Sequence, residues 1–153
     1  MRILVADDDP TYRSLLGDML GMWDFEVVLA ADGTDALTIM RSADAPQLAI
    51  LDWMMPGLDG FEIAKTIRDE KPEDSPYILL ITGGRNKEEV GRVLVCGADD
   101  YLIKPFEPLD LKIHLRSALR ILRLQEEIRE LRAAARPKPP RQPGPLAGAG
   151  PAV

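Results

Sequence analysis

The chain has a single cysteine, Cys96, and a single histidine, His114, in 153 residues. One thiol closes no internal disulfide, and neither residue has the His or Cys neighbours of a zinc site, so disulfide and zinc scaffolds are excluded. No apolar run approaches the roughly 20 residues that a bilayer-spanning helix needs. The opening run Met1–Ala6 is followed at once by Asp7-Asp8-Asp9 and lacks the apolar segment and small-residue cleavage site of a secretory signal. A cytoplasmic protein with no membrane partner is the expectation. Basic charge is also scarce: residues 1–106 carry 10 Lys and Arg against 20 Asp and Glu. Without a basic face the main body is not expected to contact nucleic acid directly, because binding a duplex requires neutralising its phosphates. Residues 107–153 reverse the balance, 9 against 5, which reads as a solvated helix face.

The remainder is a globular mixture. Hydrophobic residues make up 46% and charged residues 29%, enough for one domain with a sizeable core. Three short apolar runs stand out: Ile3–Ala6, Leu48–Leu51 and Tyr77–Ile81. They are continuous where a half-exposed strand would alternate, as expected of strands buried on both faces of a parallel sheet. Phe25–Leu29 and Asp100–Ile103 are two weaker candidates. Between the runs lie segments of helical period. Asp9 as N-cap and Pro10 at the first helical position open one that carries Leu15, Leu16, Met19 and Leu20. Asp59 opens another, with Phe61, Ile63, Ala64 and Ile67, which ends at Lys71-Pro72. This alternation predicts an open α/β sheet.

From Pro108 to about Ala135 the sequence reads as one long helix. Ile121, Leu124, Ile128 and Leu131 form a heptad-like stripe of two repeats. It reads either as an association or partner-binding surface or as part of a helix whose first half packs on the sheet and whose second half frays. From Pro137 to Val153, 6 of 17 residues are Pro, 3 Gly and 3 Ala, a composition that predicts disorder. The expected organisation is therefore a domain over 1–120, a helical extension over 121–136 and a tail over 137–153.

Ligands of a parallel α/β sheet bind beyond the carboxyl ends of the strands. The residues following the apolar runs are Asp7-Asp8-Asp9, Asp52, Thr82-Gly83-Gly84 and Lys104-Pro105. Any one of these is compatible with a turn or cap, and for Asp9 capping is the better reading. Asp7, Asp8 and Asp52 would repel one another unless a cation joined them, and Mg²⁺ is commonly held by one or two carboxylates. Lys104 and Thr82 can hold the far side of a phosphoryl group, and Asp52 is a candidate nucleophile toward phosphorus.

Four segments, Ile3–Pro10, Leu51–Gly60 (Leu-Asp-Trp-Met-Met-Pro-Gly-Leu-Asp-Gly), Ile81-Thr82 and Gly97–Phe106 (Gly-Ala-Asp-Asp-Tyr-Leu-Ile-Lys-Pro-Phe), together resemble the receiver domain of two-component response regulators over about residues 1–120. The resemblance implies a flavodoxin-like, doubly wound, five-stranded parallel sheet of (βα)5 type in the order 2-1-3-4-5. It implies that Asp52 accepts a phosphoryl group from a sensor histidine kinase or a histidine phosphotransfer protein. Asp8, Asp52 and the Met54 carbonyl would ligate Mg²⁺, with Asp7 acting through water. Thr82 and Lys104 would grip phosphoryl oxygens, and Tyr101 would be the aromatic switch that follows Thr82 and reshapes the face of the fourth helix and fifth strand. The Lys104–Pro105 bond would be cis. Gly57 and Gly60 serve the turn after Asp52. Gly83 departs from the alanine usual after the switch threonine, and Met54 and Gly84 would affect how fast the phosphoryl group is lost. Trp53 is expected to pack.

A receiver catalyses its own aspartyl phosphorylation and dephosphorylation and turns over no external substrate, so no enzyme in the ordinary sense is expected. The downstream protein is not legible. A stand-alone chemotaxis or phosphorelay receiver is the first reading, with a homodimer through the 108–135 helix or the fourth-helix and fifth-strand face. The alternative is part of a longer regulator whose helix leads into an output domain. A remote rival is a haloacid-dehalogenase-type phosphatase with Asp7-x-Asp9-x-Thr11 as its nucleophile motif. It leaves Asp52 without a role, wants its lysine before an acidic pair whereas Lys104 follows Asp99-Asp100, and needs a flap where Pro10 opens a helix.

Overall fold

The structure, a computed structural model, describes residues 1–83, 87–137, 139–141 and 144. Five strands, β1 (Arg2–Ala6), β2 (Glu26–Ala30), β3 (Leu48–Asp52), β4 (Tyr77–Thr82) and β5 (Asp100–Ile103), alternate with α1 (Pro10–Met22), α2 (Gly33–Arg41), α3 (Gly60–Glu70), α4 (Lys87–Cys96) and α5 (Pro108–Ala135). The strands form one parallel sheet in the order β2-β1-β3-β4-β5, the order the resemblance implied. No described helix is long and apolar enough to cross a membrane.

The continuous apolar runs are explained by which way successive side chains point. Leu4, Ala49, Leu51, Ile78 and Leu80 pack with Ala36, Met40, Phe61, Ile63, Ile67 and Val93 of α2, α3 and α4. Their neighbours Ile3, Val5, Leu48, Ile50, Leu79 and Ile81 pack with Leu16 and Leu20 of α1 and Leu111, Leu115, Ala118 and Leu122 of α5. Both faces of every central strand are thus covered, and no polar alternation is left for the sequence to show.

Aspartate caps start three of the helices. Asp9 Oδ1 accepts from the Thr11 amide at 2.9 Å, Asp32 Oδ1 from Asp35 at 2.8 Å and Asp59 Oδ1 from Glu62 at 2.9 Å. β2 begins one residue later than its apolar run suggests, because the Phe25 amide donates to Leu20 O at 3.1 Å and closes the end of α1. α5 is helical to Ala135, the end expected from its sequence. Met1–Leu122 forms one compact unit and Arg123–Val153 a second. Of the tail, residues 138, 142–143 and 145–153 lie outside the described residues, as does Gly84.

Candidate functional site

Strand register brings the predicted residues to one edge. Ala6 pairs with Leu51, Asp52 with Ile81 and Thr82 with Ile103, so Asp7, Asp52, Thr82 and Lys104 fall within about one residue of a common line across β1, β3, β4 and β5. The carboxylates of Asp7, Asp8 and Asp52 offer ligand atoms within 4.8 Å of one another, with Asp7 and Asp52 buried and Asp8 exposed. Lys104 Nζ lies 2.9 Å from Asp7 Oδ2 and 3.4 Å from Asp52 Oδ1. One ammonium therefore bridges two of the three acids.

The surrounding backbone holds this arrangement. The Asp9 amide donates to Asp7 Oδ1 at 3.0 Å, and Arg13 Nη1 donates to the Asp7 carbonyl at 2.8 Å. The Lys104 amide donates to Thr82 O at 2.7 Å, and the Lys104–Pro105 bond that follows is cis. On the other side, the Gly60 amide donates to Trp53 O at 2.9 Å. A Cβ on Gly60 would stand 2.7 Å from the Asp52 carbonyl oxygen, and Gly57 turns with φ +80°. The loop after β3 needs a glycine at both places, once for space and once for a left-handed backbone.

Burial and neighbouring charge set the protonation of the site. Burial above all, and then the charge of Asp7, push the Asp52 carboxyl up to about 6 against the opposing pull of Lys104. For Lys104 burial works downward, but the hydrogen bond to Asp7 and the charge of Asp52 outweigh it, so its ammonium is held above the ordinary lysine value. A negatively charged cluster with a low-dielectric floor and an under-neutralised buried carboxylate is a setting into which a hard divalent cation fits. Its donor set is all oxygen, as Mg²⁺ requires.

The other predicted residues are placed as follows. The Thr82 side chain is buried at the end of β4. Tyr101 is half-buried against the core that lies under α2, α3 and α4. The Met54 side chain is 74% exposed, two residues past Asp52. Trp53 packs edge-on against Phe61 with centroids 3.9 Å apart, and burial pushes the Cys96 thiol up, away from reactivity. α1 opens at Pro10 under the Asp9 cap, which leaves no room after β1 for the flap of the phosphatase rival.

Three side chains matter here that sequence reading passed over. The Tyr12 ring lies under Lys104, its centroid 4.1 Å from Nζ, and meets Phe106 edge-on at 5.9 Å. Arg13 fixes the Asp7 backbone, as above. The Arg92 guanidinium of α4 sits 4.8 Å from the Phe61 ring and 5.6 Å from Trp53, next to Asp52. The helical position of Tyr12, three residues past an N-cap, carried a weak signal; Arg92 carried none.

Residues 3–116 match the family model described as the response regulator receiver domain. Among curated proteins, a probable transcriptional regulator, ycf27, of Cyanophora paradoxa is 44% identical over 119 residues, 78% of this chain and 48% of that protein. The DNA-binding response regulator MtrA of Mycolicibacterium smegmatis is 36% identical over 78% of this chain and 50% of its own length. The chain spans about half the length of these curated relatives. Among solved structures, a response regulator receiver domain protein from Clostridium thermocellum superposes with a TM-score of 0.73 at 28% identity, covering 80% of this chain and 97% of that one. The chemotaxis protein CheY4 of Vibrio cholerae gives 0.70 at 31% identity, covering 76% and 97%.

Proposed function

The chain belongs to the response regulator receiver domains of two-component systems, and on that premise we propose that Asp52 is the phosphoacceptor and that its phosphorylation switches the contacts this domain makes with other proteins. The observation that supports it is the bridging of Asp7 and Asp52 by the Lys104 ammonium, 2.9 and 3.4 Å away, at the carboxyl edge of the sheet. In the forward step a carboxylate oxygen of Asp52 attacks the phosphorus of a phosphohistidine on a sensor kinase or phosphotransfer protein. The new P–O bond forms as the P–N bond breaks, and its electron pair stays on the imidazole nitrogen. Lys104 neutralises charge on the phosphoryl oxygens and the Thr82 hydroxyl donates to one of them. Hydrolysis by water returns the carboxylate, so the domain catalyses only its own modification.

Asp8, Asp52 and the Met54 carbonyl would hold Mg²⁺, with Asp7 acting through water, and the ion would supply the positive charge that carboxylates and phosphoryl oxygens need to approach one another. Thr82, drawn toward the phosphoryl group, would leave space that Tyr101 fills, and the face of α4 and β5 would change as a result. The test is the intact mass of the protein after incubation with acetyl phosphate and Mg²⁺. One phosphoryl adduct, absent with EDTA, supports the reading; steady turnover of a phosphate ester in place of a single adduct contradicts it.

The names of the relatives favour a second reading of the output, in which phosphorylation governs a regulator that works on DNA. Phosphorylation-dependent retention of duplex DNA by the chain would support this second reading. Binding by this chain itself would overturn the expectation of no direct nucleic-acid contact drawn from its acidic charge.

A further inference from the structure

α5 carries two apolar stripes with different fates. Leu111, Leu115, Ala118 and Leu122 are buried, and positions at which that stripe would continue are polar, Gln125 and Arg129. The other stripe begins as the first ends. Ile121, Leu124, Ile128 and Leu131 stand 40%, 48%, 48% and 70% exposed at spacings of 3, 4 and 3 on a helix that continues to Ala135. A helix that served only to leave the domain has no use for a new apolar seam on another face.

We propose that this seam is covered by the same seam of a second copy of the chain, in a parallel two-stranded coiled coil over residues 121–135. Taken as a heptad, Ile121 and Ile128 occupy a and Leu124 and Leu131 occupy d, with Ala135 at the next a. Isoleucine at a with leucine at d is the combination that selects two parallel strands. The flanking charges choose the same orientation. Glu127 falls at g and Arg132 at the following e, and in a parallel pair each g faces the partner's following e, so symmetry makes the Glu–Arg contact twice. The earlier pair, Arg120 with Gln125, is free of like charge. An antiparallel pair would set g against g and e against e, opposing Glu127 to its own copy and Arg132 likewise. Glu126 and Arg129 bond each other at 2.8 Å on the outer f and b positions, where they do not compete. Two heptads are short for a coiled coil, but the segment extends a helix already formed, so the cost of nucleation falls elsewhere. The association is accordingly weak and concentration-dependent. It does not rest on the phosphoryl chemistry.

Sedimentation of the full chain over a roughly hundredfold range of concentration tests this. The wild type is expected to pass from single to doubled mass. Leu124→Glu with Ile128→Glu, both at exposed positions, is expected to stay at single mass with an unchanged far-ultraviolet helix signal. Glu127→Arg should weaken the dimer at least severalfold, and Glu127→Arg with Arg132→Glu should restore it, since the pairs re-form with their signs exchanged. Leu131→Cys should cross-link to its own copy under mild oxidation, the native Cys96 being buried. A wild type that stays monomeric throughout, a tripled mass, a dimer that survives Leu124→Glu with Ile128→Glu, or a charge exchange that stays weak would overturn the proposal.

Discussion

Lys104 and Asp7, 97 residues apart in the chain, meet at 2.9 Å across the carboxyl edge of the sheet. The Asp7 side chain is almost completely buried, and the same ammonium also reaches Asp52. It thus occupies the position of a built-in countercharge, and any divalent cation drawn to the three carboxylates binds next to it.

Removing that charge should have two opposite effects. Lys104→Met is expected to bind Mg²⁺ a few times more tightly at pH 8.5, because a like charge beside the cation is gone. It should also form the phosphoryl adduct at least about tenfold more slowly, having lost a group that stabilises charge in the transition state. Calorimetric titration and adduct kinetics measure the two; unchanged kinetics would remove Lys104 from the transfer step.

Asp52 costs the metal-free protein stability at neutral pH. Its carboxyl lies at about 6 in the folded chain against an ordinary value of 3.8, so between these values the native state holds more proton than the unfolded state and stability falls as pH rises. The contribution is fully present below about 3.8 and lost by pH 7. Asp52→Asn is therefore expected to stabilise the protein in EDTA by about 1–2 kcal/mol at pH 7.5, allowing for solvent at the mouth of the site, with the gain shrinking toward pH 4. Urea unfolding at both pH values checks the sign. A gain that grows on acidification would contradict the assignment.

Two glycine substitutions should act in opposite directions. Gly60→Ala brings a methyl to 2.7 Å from the Asp52 carbonyl oxygen and 3.2 Å from Trp53 Cα, and should cost about 1–3 kcal/mol by overpacking while it disturbs the acceptor strand. Gly91→Ala, inside α4 with nothing within 4 Å, should gain about 0.5–1 kcal/mol from helix propensity. Thermal unfolding of the two variants side by side should show a lower midpoint for Gly60→Ala and a higher one for Gly91→Ala than for the wild type.

Arg92 offers a way to watch α4 from the site. Its guanidinium lies over Phe61 and Trp53, so in a Trp23→Phe background Arg92→Ala should change the emission of Trp53 and cost about 0.5–1 kcal/mol. If emission is unchanged, Arg92 does not rest on the pair in solution.

The sheet edge was legible because its residues follow apolar runs that the chain repeats, and a short list of strand ends, Asp7, Asp52, Thr82 and Lys104, sufficed to find it. The Asp9 and Asp59 caps were legible for the same local reason. The two faces of the sheet were not, since strands covered on both sides show no alternation. Arg68 was invisible as well: it donates to Pro76 O at 2.7 Å and Gly97 O at 2.6 Å and pairs with Asp99, whose carboxylate also accepts from the Ile78 amide. Such a clamp joins positions between 8 and 31 apart and has no period or spacing. The same holds for His114 with Asp100 and for Arg92.

The central claim is that Asp52, and neither of the other two clustered acids, is the nucleophile. Reduction of the phosphorylated protein with borohydride converts an acyl phosphate to homoserine, and tandem mass spectrometry then reads its position. The account predicts homoserine at residue 52 alone; homoserine at 7 or 8 would contradict it.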